Sequence, residues 1–249
     1  MRSLGQTGLK VSSLGLGTVK FGRNEGVKYP SAFQLPSDDE IIHLLSVAKE
    51  LGLNLLDTAP AYGTSEERLG KLLQNERHDW IISTKAGEEF NNGNSTFDFS
   101  SSAIRNSIER SLKRLKTDYL DIVLIHSNGN DEKIIVEDEV FTTLNALKSA
   151  GKIRAFGMST KTVAGGLLTI DHADVAMVTY NRECTDDLKV IQYAHQKQKG
   201  IFIKKALASG HMKMSAKEYM RFVLQEPGVT SVIVGTINEK HLRENIKSA

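Results

Sequence analysis

The sequence predicts an α/β fold of one domain, a (β/α)8 TIM barrel over residues 1–249, and three observations carry that prediction. Eight short apolar runs recur along the chain, and amphipathic segments with helix signals separate them. The turn after the first run lacks the G-x-G-x-x-G spacing that opens a doubly wound dinucleotide-binding sheet of similar length. At 249 residues and 40% hydrophobic content, the chain can also bury a core of barrel size.

The elements follow in order. Before the first run, LGQTGLK sets glycine turn chemistry between short apolar pieces, so residues 1–10 are expected to form a β-hairpin closing the barrel floor. The runs VSSLGLGTV, LNLLDTA, WIISTKAG, YLDIVLIHS, IRAFGMST, VAMVTYN, GIFIKKALASG and VTSVIVGT then read as eight parallel strands. After the first, RNEGVKYPSAFQLPSDD is long and irregular and reads as a rim loop. The clearest helix is SSSAIRNSIERSLKRL, where Ile104, Ile108, Leu112 and Leu115 fall on one face and Ser100 or Ser101 can cap the start. No low-complexity tract, linker or internal repeat divides the chain.

Composition narrows the function. Lys and Arg total 32 against 30 for Asp and Glu, a formal charge of +2, which makes no electrostatic case for nucleic acid or an acidic membrane surface and leaves small molecules as the expected partners. The single Cys184 cannot form an intrachain disulfide, which fits a reducing compartment and reads as a packing or surface thiol. No segment approaches the roughly 20 apolar residues of a membrane span, and MRSLGQTGLKVSSLGLG has no signal-peptide core, so a soluble, cytoplasmic protein is expected. No metal site is expected, and nothing in the sequence points to an oligomeric state.

In a barrel of this kind, chemistry sits at the C-terminal ends of the strands. LLDTAPAYGTSEERLG ends a strand on Asp57, which reads either as a helix cap or as a charged group at the rim of the core. Tyr62 follows in the same loop, Lys85 ends the third run in ISTKAG, and His126 ends the fourth in LIHSNG. Together these groups make a proton donor with its tuning. A free phenol has a pKa near 10, an ammonium beside it favours the phenolate, and a carboxylate beside the ammonium keeps that ammonium charged. His126 could orient a carbonyl oxygen while Tyr62 delivers the proton.

By these residues the sequence resembles the aldo-keto reductase family. LDTAPAYGTSEERLG matches that family's LDTAxxYGxSExxLG stretch, and the likeness continues through STKAG, DIVLIHS, GKIRAFGMS, YN and HLRENI, over nearly the whole chain. The resemblance implies a catalytic tetrad of Asp57, Tyr62, Lys85 and His126. It also implies NAD(P)H-dependent reduction of an aldehyde or ketone, or the reverse, with hydride from nicotinamide C4 and a proton from Tyr62. NADP(H) is the implied cofactor, with NAD(H) second.

The resemblance places the cofactor on several loops. Gly17 and Thr18 fall near the nicotinamide ribose, Ser159 at the carboxamide, Leu207 and Ser209 in the cofactor loop, and Gly235 and Thr236 at phosphate near a helix N-terminus. Lys240, His241 and Arg243 would screen a 2′-phosphate, with Glu244 and Asn245 near the adenine. Three positions depart from the pattern. Thr160 replaces the usual Asn, Met177 the usual Gln, and Lys204 the aromatic that stacks on nicotinamide, so that Lys204 or Lys205 would instead reach the pyrophosphate. The altered pocket keeps open a cofactor-binding sensor or regulatory subunit with little turnover. A Schiff-base aldolase using Lys85 would need that lysine neutral, which Asp57 opposes. The compact loop after His126 and the short tail after Asn245 predict an open substrate mouth with broad acceptance of small carbonyls.

Overall fold

The computed structural model describes residues 1–248; the last residue of the expected 1–249 domain lies outside them. Twelve strands occur in chain order: β1 (Arg2–Ser3), β2 (Lys10–Val11), β3 (Leu14–Gly17), β4 (Leu55–Asp57), β5 (Ile81–Ala86), β6 (Glu88–Asn91), β7 (Asn94–Phe97), β8 (Leu120–His126), β9 (Ile153–Ser159), β10 (Val175–Thr179), β11 (Gly200–Lys204) and β12 (Ser231–Gly235). Eight of them close a parallel barrel in the order β10-β11-β12-β3-β4-β5-β8-β9, and each lies within one of the eight apolar runs. The (β/α)8 barrel expected from the sequence is the fold observed.

The barrel interior is apolar at its lower end. Leu55, Ile122, Leu124, Val175, Met177 and Phe202 project inward and pack with Leu4, Leu9 and Val11 of the β1–β2 hairpin, which thus plugs the floor as expected. The larger cluster lies between barrel and helices. Its helix partners bury one stripe each, as in Ser101–Leu115, where Ile104, Ile108, Leu112 and Leu115 are buried and the Ser100 hydroxyl accepts from the Ala103 N–H at 3.3 Å.

Two features stand at the top of the barrel. Directly after β5, β6 and β7 form an antiparallel hairpin turning through Asn92 and Gly93, both at positive φ, the geometry of a tight primed turn. The segment after the helix Val19–Gly22 folds over the barrel end. Its Tyr29 hydroxyl reaches Gly235 closely enough that a Cβ there would lie 2.9 Å away, and Pro30 stands 3.0 Å from a Cβ built on Gly210. The segment bearing Tyr29 and Pro30 therefore lines a mouth that the sequence predicted to be open, while the hairpin stands outside the cavity lining.

Candidate active site

Every element of the expected tetrad ends at one cavity of about 930 Å³ at the C-terminal face of the barrel. Asp57 closes β4 and is 3% exposed. Both its carboxylate oxygens accept from Lys85 Nζ at 2.8 Å, and Oδ1 also accepts from the Ser83 hydroxyl at 3.2 Å. Asp57 is therefore the charged group at the core rim and not a helix cap. Lys85 spends its remaining N–H on the Thr58 carbonyl at 2.9 Å, so all three donors are satisfied within the protein. Burial alone would lower the Lys85 pKa, but the charges of Asp57 and Tyr62 reverse that and raise it. A permanently charged ammonium results.

Tyr62 closes the turn Pro60–Tyr62, which is started by a proline and ended by Gly63 at φ 61°. The Lys85 ammonium lies 4.7 Å from the centre of its ring, and the His126 ring meets it edge-on at 6.3 Å between centres. The sequence reading expects Lys85 to bring the phenol toward neutrality. Burial instead pushes Tyr62 up to about 12, and the opposing effect of Lys85 is smaller. At neutral pH the phenol therefore keeps its proton, the form a donor to a developing alkoxide requires.

His126 ends β8, where it pairs in register with Ser159 of β9. Burial pushes its pKa below the ordinary value, Lys85 and Lys204 push the same way, and Glu88 opposes them. Glu88, the first residue of β6, sets Oε2 2.5 Å from His126 Nδ1 and accepts at Oε1 from the Ser95 hydroxyl at 2.6 Å. Burial favours neutral Glu88, yet the His126 ring beside it holds its pKa down at about 2. Sequence reasoning missed this carboxylate. The readable signal was the Asn92–Gly93 pair between EEF and STF, a hairpin signature that fixes Glu88 beside the strand ends.

The expected cofactor residues divide. Gly17, Ser159, Thr160, Lys204, Lys205, Leu207, Ser209, Gly235, Thr236, His241, Glu244 and Asn245 all line the cavity. Thr18 does not: it is fully buried, its hydroxyl donating to the Asp57 carbonyl at 3.0 Å and accepting from Ser65 Oγ at 2.8 Å, so it braces the strand end. Lys240 stands on the exposed side of its helix, away from the cavity lining, and Arg243 is engaged with Glu239 at 2.7 Å and Glu50 at 3.7 Å. Lys204 Nζ donates to Ser159 Oγ at 2.9 Å and to the Thr160 carbonyl at 2.6 Å. It therefore sits beside Ser159, the residue that the resemblance assigns to the carboxamide. Burial, and then the Lys205 charge, pull Lys204 down to about 7. Lys28, Tyr29 and Lys161 also line the cavity and escaped the sequence reading.

The model of the Aldo/keto reductase family matches residues 13–214. The chain belongs to the aldo-keto reductase family. It superimposes on a crystal structure of a Pseudomonas aeruginosa chain assigned to the same family with a TM-score of 0.92 at 51% identity, covering 100% of this chain and 93% of that one. It is 39% identical to L-galactose dehydrogenase of Arabidopsis thaliana over 64% of its own length and 48% of that protein's. It is 34% identical to NADH-specific methylglyoxal reductase of Escherichia coli over 62% of its own length and 50% of that protein's. The chain thus spans about half the length of these two curated relatives. Among the described residues no helix is long and apolar enough to cross a membrane, and no cluster of His, Cys, Asp or Glu has the makings of a metal site.

Proposed function

We propose that this aldo-keto reductase reduces aldehyde or ketone carbonyls to alcohols, or runs the reverse, with NADP(H) as the preferred cofactor and Tyr62 as proton donor. The observation that carries the reading is the buried Asp57–Lys85 pair behind a protonated Tyr62, with His126 across the same cavity.

The residues present fit a nicotinamide dinucleotide. The Thr160 hydroxyl is buried at the cavity wall without a hydrogen-bond partner, and Lys28, Lys161 and Lys205 bring positive charge to the cavity lining, which suits an anionic dinucleotide. When bound, the cofactor supplies or accepts a hydride at its nicotinamide ring. The chain's own residues do the rest. Asp57 keeps Lys85 charged, and Lys85 favours the negative charge that Tyr62 acquires as it gives up its proton to the substrate oxygen. His126, at the end of β8, lines the same cavity and would face that oxygen. The strap carrying Tyr29 and Pro30, which line the cavity, would limit the entry of water.

Support for NADP(H) over NAD(H) rests on Thr236 and His241, since Lys240 and Arg243 do not line the cavity. Glu244 at the rim is a carboxylate that a 2′-phosphate would avoid. The expected margin is therefore less than about tenfold. Dissociation constants for NADPH and NADH at low salt test it, and equal values, or tighter NADH, reject the preference. The activity itself is tested by mixing the protein with either reduced cofactor and a panel of ketones, 2-oxoaldehydes and aldoses, and following the loss of reduced nicotinamide absorbance. Turnover of any carbonyl supports the reading. Tight cofactor binding with no turnover across the panel favours a sensor or regulatory subunit.

A further inference from the structure

We propose that Glu88 fixes the tautomer of His126, holding the neutral ring's proton on Nδ1 so that Nε2 offers the cavity a lone pair until a second proton arrives. The argument begins with distance. A carboxylate oxygen 2.5 Å from Nδ1 disfavours a bare lone pair there and favours a proton on that nitrogen. The carboxylate holds its own proton only in strong acid, being depressed to about 2, so the proton it favours belongs to the ring. The carboxylate lies off the line of the N–H bond, so its hold on the proton is electrostatic and not a linear hydrogen bond.

The surroundings hold this arrangement in place. Glu88 is anchored through its other oxygen by Ser95 of β7, and its side chain is 11% exposed. Arg23, whose guanidinium stacks on Phe90 of the same hairpin, adds positive charge near the carboxylate. The charged and titratable groups around the ring are Glu88 from β6, Lys85 from β5, Lys204 from β11 and Tyr62 from the turn after β4. Among them only Glu88 favours a proton on the ring. Nε2 has no hydrogen-bond partner among the described residues and is not sealed in the protein, and the ring lines the cavity.

The consequence for chemistry rests on the proposed reaction. A ring with its proton on Nδ1 cannot donate to a carbonyl oxygen from Nε2, whereas an imidazolium can. Reduction would then depend on His126 gaining its second proton, and the rate would climb as pH falls toward the depressed His126 pKa. In Glu88→Gln the amide N–H can donate to a bare Nδ1, which moves the neutral ring's proton to Nε2 and makes it a donor at every pH. Glu88 is a positioning residue in this scheme, acting on substrate only through His126.

The deciding measurement is long-range ¹H–¹⁵N NMR of histidine-labelled protein above the ring's pKa, with the His126 signals assigned by loss in His126→Asn. Wild type is expected to show Nδ1 protonated and Nε2 bare, Glu88→Gln the reverse, and Ser95→Ala the wild-type pattern. Three results overturn the proposal: an Nε2–H tautomer in wild type, an unchanged tautomer in Glu88→Gln, or the same switch in Ser95→Ala, which would assign the effect to hairpin packing. This readout needs neither cofactor nor turnover, so it stands apart from the proposed reaction. Where reduction is measurable and hydride transfer limits it, the wild-type rate should fall about tenfold for each pH unit above the His126 pKa, and the Glu88→Gln rate less than about threefold over the same range. Lys204 also titrates in this range but is common to both proteins, so parallel profiles would overturn the link to catalysis.

Discussion

Tyr62 holds its proton because burial outweighs the Lys85 charge, and that balance has measurable consequences. Tyr62→Phe removes the proton donor and little else, so hydride-limited turnover should fall by roughly two to four orders of magnitude while the cofactor dissociation constant stays within about threefold. Near-normal turnover in the folded variant would sink the assignment. Lys85→Met does more, because it leaves Asp57 buried at 3% exposure with only the Ser83 hydroxyl as a side-chain partner. Urea unfolding of Lys85→Met should show a loss of about 3 to 5 kcal/mol alongside a turnover loss at least as large as that of Tyr62→Phe. A variant of unchanged stability would mean that Asp57 is solvated in a way its burial contradicts. At this scale the sequence was informative, since Asp57, Tyr62, Lys85 and His126 each end a strand or open its loop, where a barrel exposes them. Thr18 shows why other positions were not legible. Adjacent residues at a strand end point to opposite sides, and spacing alone could not say that Gly17 faces the cavity while Thr18 faces Ser65.

Among the elements, the turn carrying Tyr62 is fixed by backbone packed on backbone. Gly63 sits at φ 61°, and a Cβ built on it would fall 2.1 Å from the Gly22 carbonyl oxygen; one built on Gly22 would fall 2.5 Å from the Tyr62 carbonyl oxygen. Gly63→Ala must therefore push the helix end at Gly22 away from the turn, in addition to bearing a left-handed backbone. A stability loss of about 1 to 3 kcal/mol is expected, with reduced turnover because the phenol shifts against Lys85. Thermal unfolding and turnover measured together test this, and a neutral Gly63→Ala would show that the turn relaxes freely. The eight barrel strands were readable because each is a compact apolar run covered on both faces. The β6–β7 hairpin showed only its Asn92–Gly93 turn, because its strands are mostly polar and largely exposed, with only Phe90 and Phe97 apolar. The rim segment was readable as a loop, but its course over Gly210 and Gly235 is set by Tyr29 and Pro30 contacts that no local pattern encodes.

For the whole molecule, a formal charge of +2 conceals a strongly asymmetric distribution. Lys20, Lys28, Lys85, Lys161, Lys204 and Lys205 line the cavity against Asp57 and Glu244 as its lining carboxylates, and Lys85 already belongs to Asp57. None of the other five forms an ion pair among the described residues. Net charge made no electrostatic case for a nucleic-acid partner, but it could not show that the fold gathers its unpaired cations where an anionic ligand would enter. The cost of that gathering falls most heavily on Lys204. Its pKa is about 7 in the folded protein against the ordinary 10.5, so below about pH 7 both folded and unfolded chains hold the proton and the folded state bears the full penalty of a buried charge. Between those values the unfolded chain is protonated and the folded one is not, so this residue's contribution to stability rises with pH and levels off above the unfolded value. Lys204→Met removes the penalty together with the hydrogen bonds to Ser159 and Thr160, and only the penalty depends on pH. The melting temperature of Lys204→Met relative to wild type, measured without ligand, should therefore be more favourable at about pH 6 than at about pH 9. An equal difference at the two pH values would mean that Lys204 stays charged throughout, and that the cavity is wetter around it than its burial implies.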